Sequence, residues 1–140
     1  MFQKIIVVGR LGRDPEMRYT PAGQAVTTFS LATDRQYTGE DGQLVKVTTW
    51  FKVSAWGKQA ENCNNYLAKG KLVLVEGILN CDPKTGGPRI WKGQDDLAHA
   101  GYEITASSVK FLSPHSESLK EEMMAGEEVN VDPAGDDIPF

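Results

Sequence analysis

The sequence lacks a long hydrophobic run. The longest apolar stretch near the N-terminus lies within "MFQKIIVVGRLG" and is only a few residues long. A signal peptide requires about 7–15 consecutive apolar residues and a membrane-spanning helix requires about 20. The sequence therefore predicts a cytosolic protein that does not associate with a membrane.

Cysteine and histidine are also scarce, with two of each among 140 residues. Cys63 and Cys81 form no C-x-x-C pair, and no cluster of Cys or His surrounds either of them. In a cytosolic protein, two reduced thiols are a better interpretation than a disulfide or a metal site. We therefore expect no metal and no cofactor.

Motifs that indicate catalysis are absent from the sequence. It contains no Gly-rich phosphate loop, no spacing typical of metal ligands and no nucleophile motif. The acid pair Asp95-Asp96 stands in loop-like sequence, where solvated charge is the simplest interpretation. The sequence predicts a protein that is not an enzyme. A small enzyme that uses an acidic loop is the alternative from a different class.

Charge divides the chain into two parts. Residues 1–112 contain 14 Lys and Arg against 11 Asp and Glu, a balance of +3, whereas residues 113–140 contain one Lys against eight acids, a balance of −7. The second part is also poor in apolar residues, which favours disorder. We predict a domain at 1–112, with a surface suited to a polyanion, and a disordered acidic tail at 113–140.

Alternation of β-branched and polar residues dominates the predicted domain. It predicts strands at residues 4–11, 24–37, 44–56, 71–79 and 102–112, with turns at 12–24 and a long loop at 80–100. Residues 57–70 are predicted to be helical because Ala60, Cys63 and Leu67 recur at helical spacing, with Tyr66 widening that face.

A five-stranded sheet of this size has exposed edges, which closure into a barrel removes. A helix between the third and fourth strands is the arrangement of an OB-fold. The sequence therefore predicts an all-β, five-stranded OB-fold barrel with one helix.

The third predicted strand is the richest in chemical information. With period-two alternation, one of its faces should line the barrel interior and consists of Val45, Val47, Phe51, Val53 and Ala55. The other face contains Trp50, Lys52 and Trp56, together with Lys46 and Ser54.

Aromatic rings between lysines on an outer face can stack on bases while the lysines neutralise phosphates. Packing of both tryptophans under a loop or in a subunit interface is the alternative, and a bulge in the strand would change the parity. Tyr37 and Trp91 are further candidates for stacking, and each could equally be a local packing residue.

Several segments, in order and at the right separations, closely resemble bacterial single-stranded DNA-binding proteins. They are "KIIVVGRLGRDPEMRYTPAGQAVTTFSLAT", "TTWFKVSAWGKQAE", "YLAKG", "LVEG" and the final "DDIPF". The resemblance implies an OB-fold that usually assembles as a homotetramer, with single-stranded DNA wrapped around it. By position, the family's stacking aromatics and phosphate-contacting lysines fall on Tyr37, Trp50, Trp56, Lys52, Lys58 and Lys69.

The sequence departs from the family pattern at three places. Position 37 is Tyr where the family has Trp, which should stack less strongly. Position 51 is Phe where many relatives have His, and residues 80–100 do not align cleanly. The segment between the domain and the final motif is also short for the family.

The final motif, Asp136-Asp137-Ile138-Pro139-Phe140, has no obvious role in a polar tail. The resemblance implies that these residues dock onto enzymes of DNA replication, recombination and repair. Phe140 could enter an apolar pocket while its carboxylate, Asp136 and Asp137 meet basic residues around it. An inert solubilising tail would explain the acids but not the Ile-Pro-Phe.

Taken with the resemblance, the sequence predicts a cytoplasmic, nucleoid-associated protein. It should bind single-stranded DNA with little sequence preference and recruit partner enzymes. An OB-fold protein for RNA, or one with a specific assembly role, is the nearest alternative.

Overall fold

The computed structural model describes residues 1–113, which contain eight strands and one helix. In chain order the elements are β1 (Ile5–Leu11), β2 (Glu16–Tyr19), β3 (Ala25–Thr38), β4 (Leu44–Trp56), α1 (Lys58–Tyr66), β5 (Leu72–Asn80), β6 (Ile90–Lys92), β7 (Ala98–Ala100) and β8 (Tyr102–Phe111). Predictions for the tail, including those for Asp136, Asp137, Ile138, Pro139 and Phe140, lie outside the described residues.

Five of the strands close into a barrel. The strands pair in the order β1-β5-β8-β4-β3, and β3 pairs back to β1 at Arg10–Ala32 and Leu11–Leu31. Only the β4–β8 pairing within this barrel is parallel. The helix lies between the third and fourth strands of the barrel in chain order. The predicted all-β, five-stranded OB-fold barrel is confirmed.

The barrel core is formed by the inward-facing residues of each strand. Phe29, Leu31, Val53, Val73, Val75 and Ile104 are all buried. Such large apolar groups stabilise a fold by about 1.5–3 kcal/mol each when they leave water. Their alternation with exposed neighbours explains why the strand prediction succeeded.

Helix α1 packs on this core through the face that the sequence predicted. Ala60 and Cys63 are fully buried and Leu67, just after the helix, is nearly so. The hydroxyl of buried Thr27 donates a hydrogen bond of 2.7 Å to the carbonyl of Ala60, which ties the helix to β3. Tyr66 is half exposed and does not widen the buried face, so that part of the prediction is wrong.

Two segments predicted as turns or loop contain strands. Residues 16–19 form β2, which pairs along β3, and the 80–100 segment contains the β6–β7 hairpin. The strands in both segments are short, and all of their residues are exposed or only half-buried. Hydrophobic alternation, the signal for a strand, cannot appear in strands of three or four exposed residues.

The faces of β4 follow the predicted parity because its pairing with β3 runs without interruption from Val26–Trp56 to Thr38–Leu44. Val53 and Ala55 are buried, and Phe51 packs against the core. Val45 is half-buried and Val47 is exposed, so the prediction that both line the barrel interior is wrong. Their part of the β3–β4 hairpin extends past the core, and among the described residues this face is only partly covered.

Candidate nucleic-acid interface

The outer face of β4 presents two indole rings to solvent. Trp50 is 54% exposed and Trp56 is 40% exposed, and Lys52 between them is also exposed. A tryptophan with this much accessible surface is far from the buried state that core packing produces. The alternation predicted from the sequence therefore places these three side chains on the solvent side of the barrel.

An open groove of about 530 Å³ lies beside Trp50. One wall comes from β4 and the other from the end of the β6–β7 hairpin and the start of β8. Trp91, which lies far from Trp50 in sequence, lines the same groove. The complete lining is Arg13, Ser30, Thr48, Thr49, Trp50, Phe51, Lys52, Trp91, Ala100, Gly101, Tyr102 and Glu103.

Tyr102 contributes a third exposed ring to this groove. It is 55% exposed, and its ring centroid lies 5.7 Å from that of Phe51 at an interplanar angle of 41°. The parallel pairing of β4 with β8 makes Phe51 and Tyr102 direct neighbours. Phe51 therefore makes an aromatic contact that supports the groove wall.

A second groove, of about 310 Å³, adjoins the first. Arg13 and Lys52 line both grooves, and Arg18 lines the second together with Glu16, Met17 and Thr28. Arg13, Arg18 and Lys52 form no ion pair with any residue in the 1–113 range. The two grooves together contain these three cations and two acids, Glu16 and Glu103, so the surface next to the aromatic rings attracts phosphate groups.

The other predicted site residues do not line these grooves. Trp56 is six positions along β4 from Trp50, on the same face, beside its cross-strand neighbour Val26. Tyr37 pairs with Val45 near the tip of the β3–β4 hairpin, on the opposite side of the sheet from Trp50. Its ring lies 5.6 Å below the guanidinium carbon of Arg35, a cation–π contact.

Lys58 and Lys69 lie at the two ends of the helical region. The ammonium of Lys58 is 3.2 Å from the Glu61 carboxylate, so part of its charge is already compensated. Lys69 follows the helix, and its backbone N–H donates a hydrogen bond of 2.8 Å to Asp14. Both lysines are exposed, but neither lines the two grooves.

Sequence reasoning missed Arg13 and Tyr102. Arg13 lies in the connection between β1 and β2, and Tyr102 is the first residue of β8. Tyr102 follows Gly101 at the start of the last predicted strand, and a ring next to a glycine at a strand end could have marked it. No comparable local signal was available for Arg13.

Two carboxylates near the interface are held in the ionised form. The pKa of Asp34 is lowered, first by a hydrogen bond of 2.7 Å from the Thr48 hydroxyl and then by Lys46. A hydrogen bond from His99 is the main cause of a lowered pKa at Asp95. Both acids therefore remain negative at neutral pH, with a donor already bound to each.

Several further features bear on other classes of site. Cys63 and Cys81 are free thiols, buried and exposed respectively. In the described part of the chain, no group of three or more His, Cys, Asp or Glu residues is arranged to hold a metal ion. Between residues 1 and 113, no helix has the length and apolar character needed to cross a membrane.

Comparison with solved structures finds the same fold with substantial coverage. The Plasmodium falciparum SSB in complex with ssDNA matches 81% of this chain and 97% of its own, at a TM-score of 0.65 and 28% identity. A deletion mutant of the single-stranded DNA binding protein from Thermus aquaticus matches 79% of this chain and 50% of its own, at a TM-score of 0.62 and 31% identity.

Curated relatives agree with these structures. A single-stranded DNA-binding protein of Neisseria meningitidis serogroup A is 39% identical over 115 residues, which cover 82% of this chain. This chain spans 62% of that relative's length. The Helicobacter pylori protein of the same name is 33% identical over 144 residues, covering 99% of this chain and 76% of the relative. The model of the single-strand binding protein family matches residues 2–112, and the chain belongs to that family.

Proposed function

We propose that this chain binds single-stranded DNA with little sequence preference and does so without catalysing a reaction. The observation that carries the proposal is the convergence of Trp50, Trp91 and Tyr102 on one open groove, with Lys52 and Arg13 beside them. Flat rings accept any base, and the cations neutralise the phosphates between bases. An unpaired strand exposes both its base faces and its phosphates, whereas a duplex hides its base faces.

The relatives support this ligand. Those from Neisseria meningitidis and Helicobacter pylori are named single-stranded DNA-binding proteins, and the Plasmodium falciparum structure contains ssDNA. The remaining predicted contacts, Tyr37, Trp56, Lys58 and Lys69, belong to the proposal as contacts outside the groove. Trp56 continues the outer face of β4, and Lys58 follows it directly at the start of α1. A strand that leaves the groove along β4 would reach these two residues.

We further propose that the acidic tail recruits enzymes of DNA replication, recombination and repair. Its balance of −7 would be repelled by DNA, and Asp136 and Asp137 stand directly before an apolar Ile138-Pro139-Phe140. Apolar side chains next to acids suit an apolar pocket surrounded by basic residues. The alignment with the Helicobacter pylori relative covers 99% of this chain and so extends into the tail. A cytoplasmic, nucleoid-associated location is part of the same proposal.

A homotetramer is also part of the proposal. The outer faces of β1 and β5 expose Ile6, Val8 and Ile78, which are 60%, 48% and 53% accessible. Burial of such side chains against another copy removes apolar surface from water. Several copies of the domain at residues 1–112, each with a balance of +3, would multiply the contacts with one long strand. Light scattering that finds a monomer at micromolar concentration would contradict wrapping around an assembly.

Competition experiments test the ligand. The anisotropy of a labelled dT oligonucleotide is measured with the full chain, and unlabelled dT, dC, dA, rU and duplex of equal length are added as competitors. We expect the three DNA strands to compete comparably and the duplex to compete poorly. Preferential competition by rU would favour the RNA alternative. Absence of dT binding at low salt would refute the proposal.

A further inference from the structure

The hairpin that carries Trp91 is too small to hold this side chain in place by backbone pairing alone. Strands β6 and β7 have three residues each, and none of these six residues is buried: His99 is half-buried and the other five are exposed. An isolated two-stranded hairpin is at best marginally stable in water. Side-chain contacts are therefore needed if the Trp91 ring is to keep one orientation in the groove.

His99 provides such a contact. Trp91 and His99 are cross-strand partners, and their rings are stacked with centroids 6.0 Å apart and an interplanar angle of 26°. An offset stack of two aromatic rings restricts both χ angles of each side chain. About half of the Trp91 surface remains exposed toward the groove.

The His99 ring is itself held in place by Asp95. Its Nε2 lies 2.9 Å and 3.0 Å from the two carboxylate oxygens of Asp95. Oδ1 of Asp95 also accepts a hydrogen bond of 3.2 Å from the backbone N–H of Leu97, which anchors the carboxylate in the turn. Because an ionised carboxylate can only accept hydrogen bonds, Nε2 of His99 carries a proton and donates the hydrogen bond to Asp95.

Two glycines leave room for this arrangement. A Cβ on Gly93 would stand 2.6 Å from Nε2 and 2.7 Å from Cδ2 of His99, so the imidazole lies directly against the Gly93 backbone. A Cβ on Gly101 would stand 3.1 Å from Cη2 of Trp91. The indole is thus bounded by His99 on one side and by the chain at Gly101 on another.

We propose that His99 is a positioning residue that holds the ring of Trp91 in the orientation in which it stacks on a base. The inference rests on the proposed binding of single-stranded DNA. It extends that function because His99 lines neither groove itself and acts through Trp91. In this role Asp95 orients His99, and His99 orients Trp91.

A measurement without DNA tests the positioning directly. In a full-length W50F/W56F background, Trp91 is the only tryptophan. We expect His99→Ala to lower the fluorescence anisotropy of Trp91 and to raise its quenching by acrylamide. His99→Phe, which keeps a flat ring, should preserve both values better than His99→Asn, which keeps a donor for Asp95 but has no ring.

Asp96→Asn is the matched control in the same hairpin. It removes the ion pair between Asp96 and Lys92, and Asn tolerates the positive φ of 64° at this position. The control should leave both values unchanged. If His99→Ala also leaves them unchanged, His99 does not position Trp91 and the inference is overturned.

A double-mutant cycle tests the consequence for binding, with Trp50 and Trp56 intact. We expect His99→Ala to weaken binding of a dT oligonucleotide about two- to tenfold, the range for loss of one aromatic pair. The same substitution in a W91A background should have no further effect, because its target is gone. If the losses of affinity from His99→Ala and W91A add, the inference is overturned. It is also overturned if His99→Ala lowers the anisotropy of Trp91 but leaves the affinity for dT unchanged. If the unaltered chain fails to bind dT, the proposed function fails instead, and the measurement without DNA still decides whether His99 holds Trp91.

Discussion

The indole of Trp50 lies directly against the backbone of Gly12. A Cβ on Gly12 would stand 2.7 Å from Cη2 of the indole and closer still to Cζ3. Gly12 follows β1, and its N–H donates a hydrogen bond of 3.1 Å to the carbonyl of Ser30 on β3. Its φ is not positive, so glycine is needed here because the Trp50 ring approaches the backbone closely, and not because of the backbone conformation. The position of the Trp50 ring in the groove thus depends on Gly12, which has no side chain and so brings no functional group of its own to the groove.

Gly12→Ala should therefore displace the Trp50 ring and weaken binding of a dT oligonucleotide. The loss should approach that of removing the ring, about 1–3 kcal/mol per stacked base, a magnitude known from OB-fold proteins of this kind. Gly87→Ala is the matched control, because a Cβ there meets its nearest atom at 3.6 Å and needs no positive φ. Equal affinities for the two variants, both folded by circular dichroism, would show that Gly12 does not set the position of Trp50.

The cations that join the two grooves should determine the salt dependence of binding. Arg13→Ala and Lys52→Ala should each reduce the slope of log affinity against log salt by about 1, because one fewer counterion is released. Lys84→Ala removes an exposed lysine that lines neither groove and serves as the control. If all three variants show the same slope as the unaltered chain, Arg13 and Lys52 do not contact phosphates.

Stability at alkaline pH should depend on Cys63. Burial raises the pKa of its thiol from 9.0 to about 11. Between these values the unfolded chain has lost this proton while the folded chain retains it. The contribution of Cys63 is therefore fully present below pH 9 and is lost as pH rises through about 11, so the free energy of unfolding falls over this interval.

Urea denaturation of the unaltered chain and of Cys63→Ala, at about pH 8 and about pH 10.5, measures this contribution. The alanine variant should start less stable, because it leaves a cavity, but should lose less stability between the two pH values. Comparing differences within each protein cancels the titration of other groups. Parallel losses in both proteins would mean that Cys63 ionises alike in the folded and unfolded states.

Removal of the acidic tail should leave DNA affinity unchanged or slightly higher at low salt. The cut belongs after Ser113, because the hydroxyl of Ser113 accepts a hydrogen bond of 2.7 Å from the backbone N–H of Leu72. Salt should shrink any gain, since it screens competition between the tail and phosphate for basic groups. A large loss of affinity on truncation would show that the tail itself contributes to binding DNA.

Deletion of Phe140 alone separates the final motif from the bulk acidity of the tail. This deletion should leave dT binding intact but abolish capture of replication and repair enzymes from a bacterial lysate. Replacing Glu121 and Glu122 by Gln is a control that lowers the charge and leaves "DDIPF" untouched. Capture of the same enzymes by the chain without Phe140 would contradict a docking role for the motif.

Local sequence is sufficient to predict those features of the fold that backbone geometry alone determines. The two faces of β4 were predictable because period two holds along a strand whose pairing with β3 has no bulge. The barrel followed from the strand order. Alternation wrongly places Val47 in the interior because it does not reveal where along a hairpin the core ends.

The groove could not be assembled from local patterns. Arg13 reaches it because β1 closes on β3, and Tyr102 reaches it because β8 runs parallel to β4. Trp91 arrives on a hairpin of two exposed three-residue strands, which shows no alternation. These contacts join distant parts of the chain, so the sequence could suggest Trp91 as a candidate ring but not its place beside Trp50.

The affinity of Trp50→Ala for a dT oligonucleotide tests the central claim most directly. Trp50 is the ring that sequence parity, exposure and the groove all select, and it lies on the outer face of β4, away from the core. We expect the variant to melt like the unaltered chain and to bind dT about 1–3 kcal/mol more weakly, with a similar loss for dC and dA. Full affinity in a folded Trp50→Ala protein would contradict base stacking in this groove as the basis of binding.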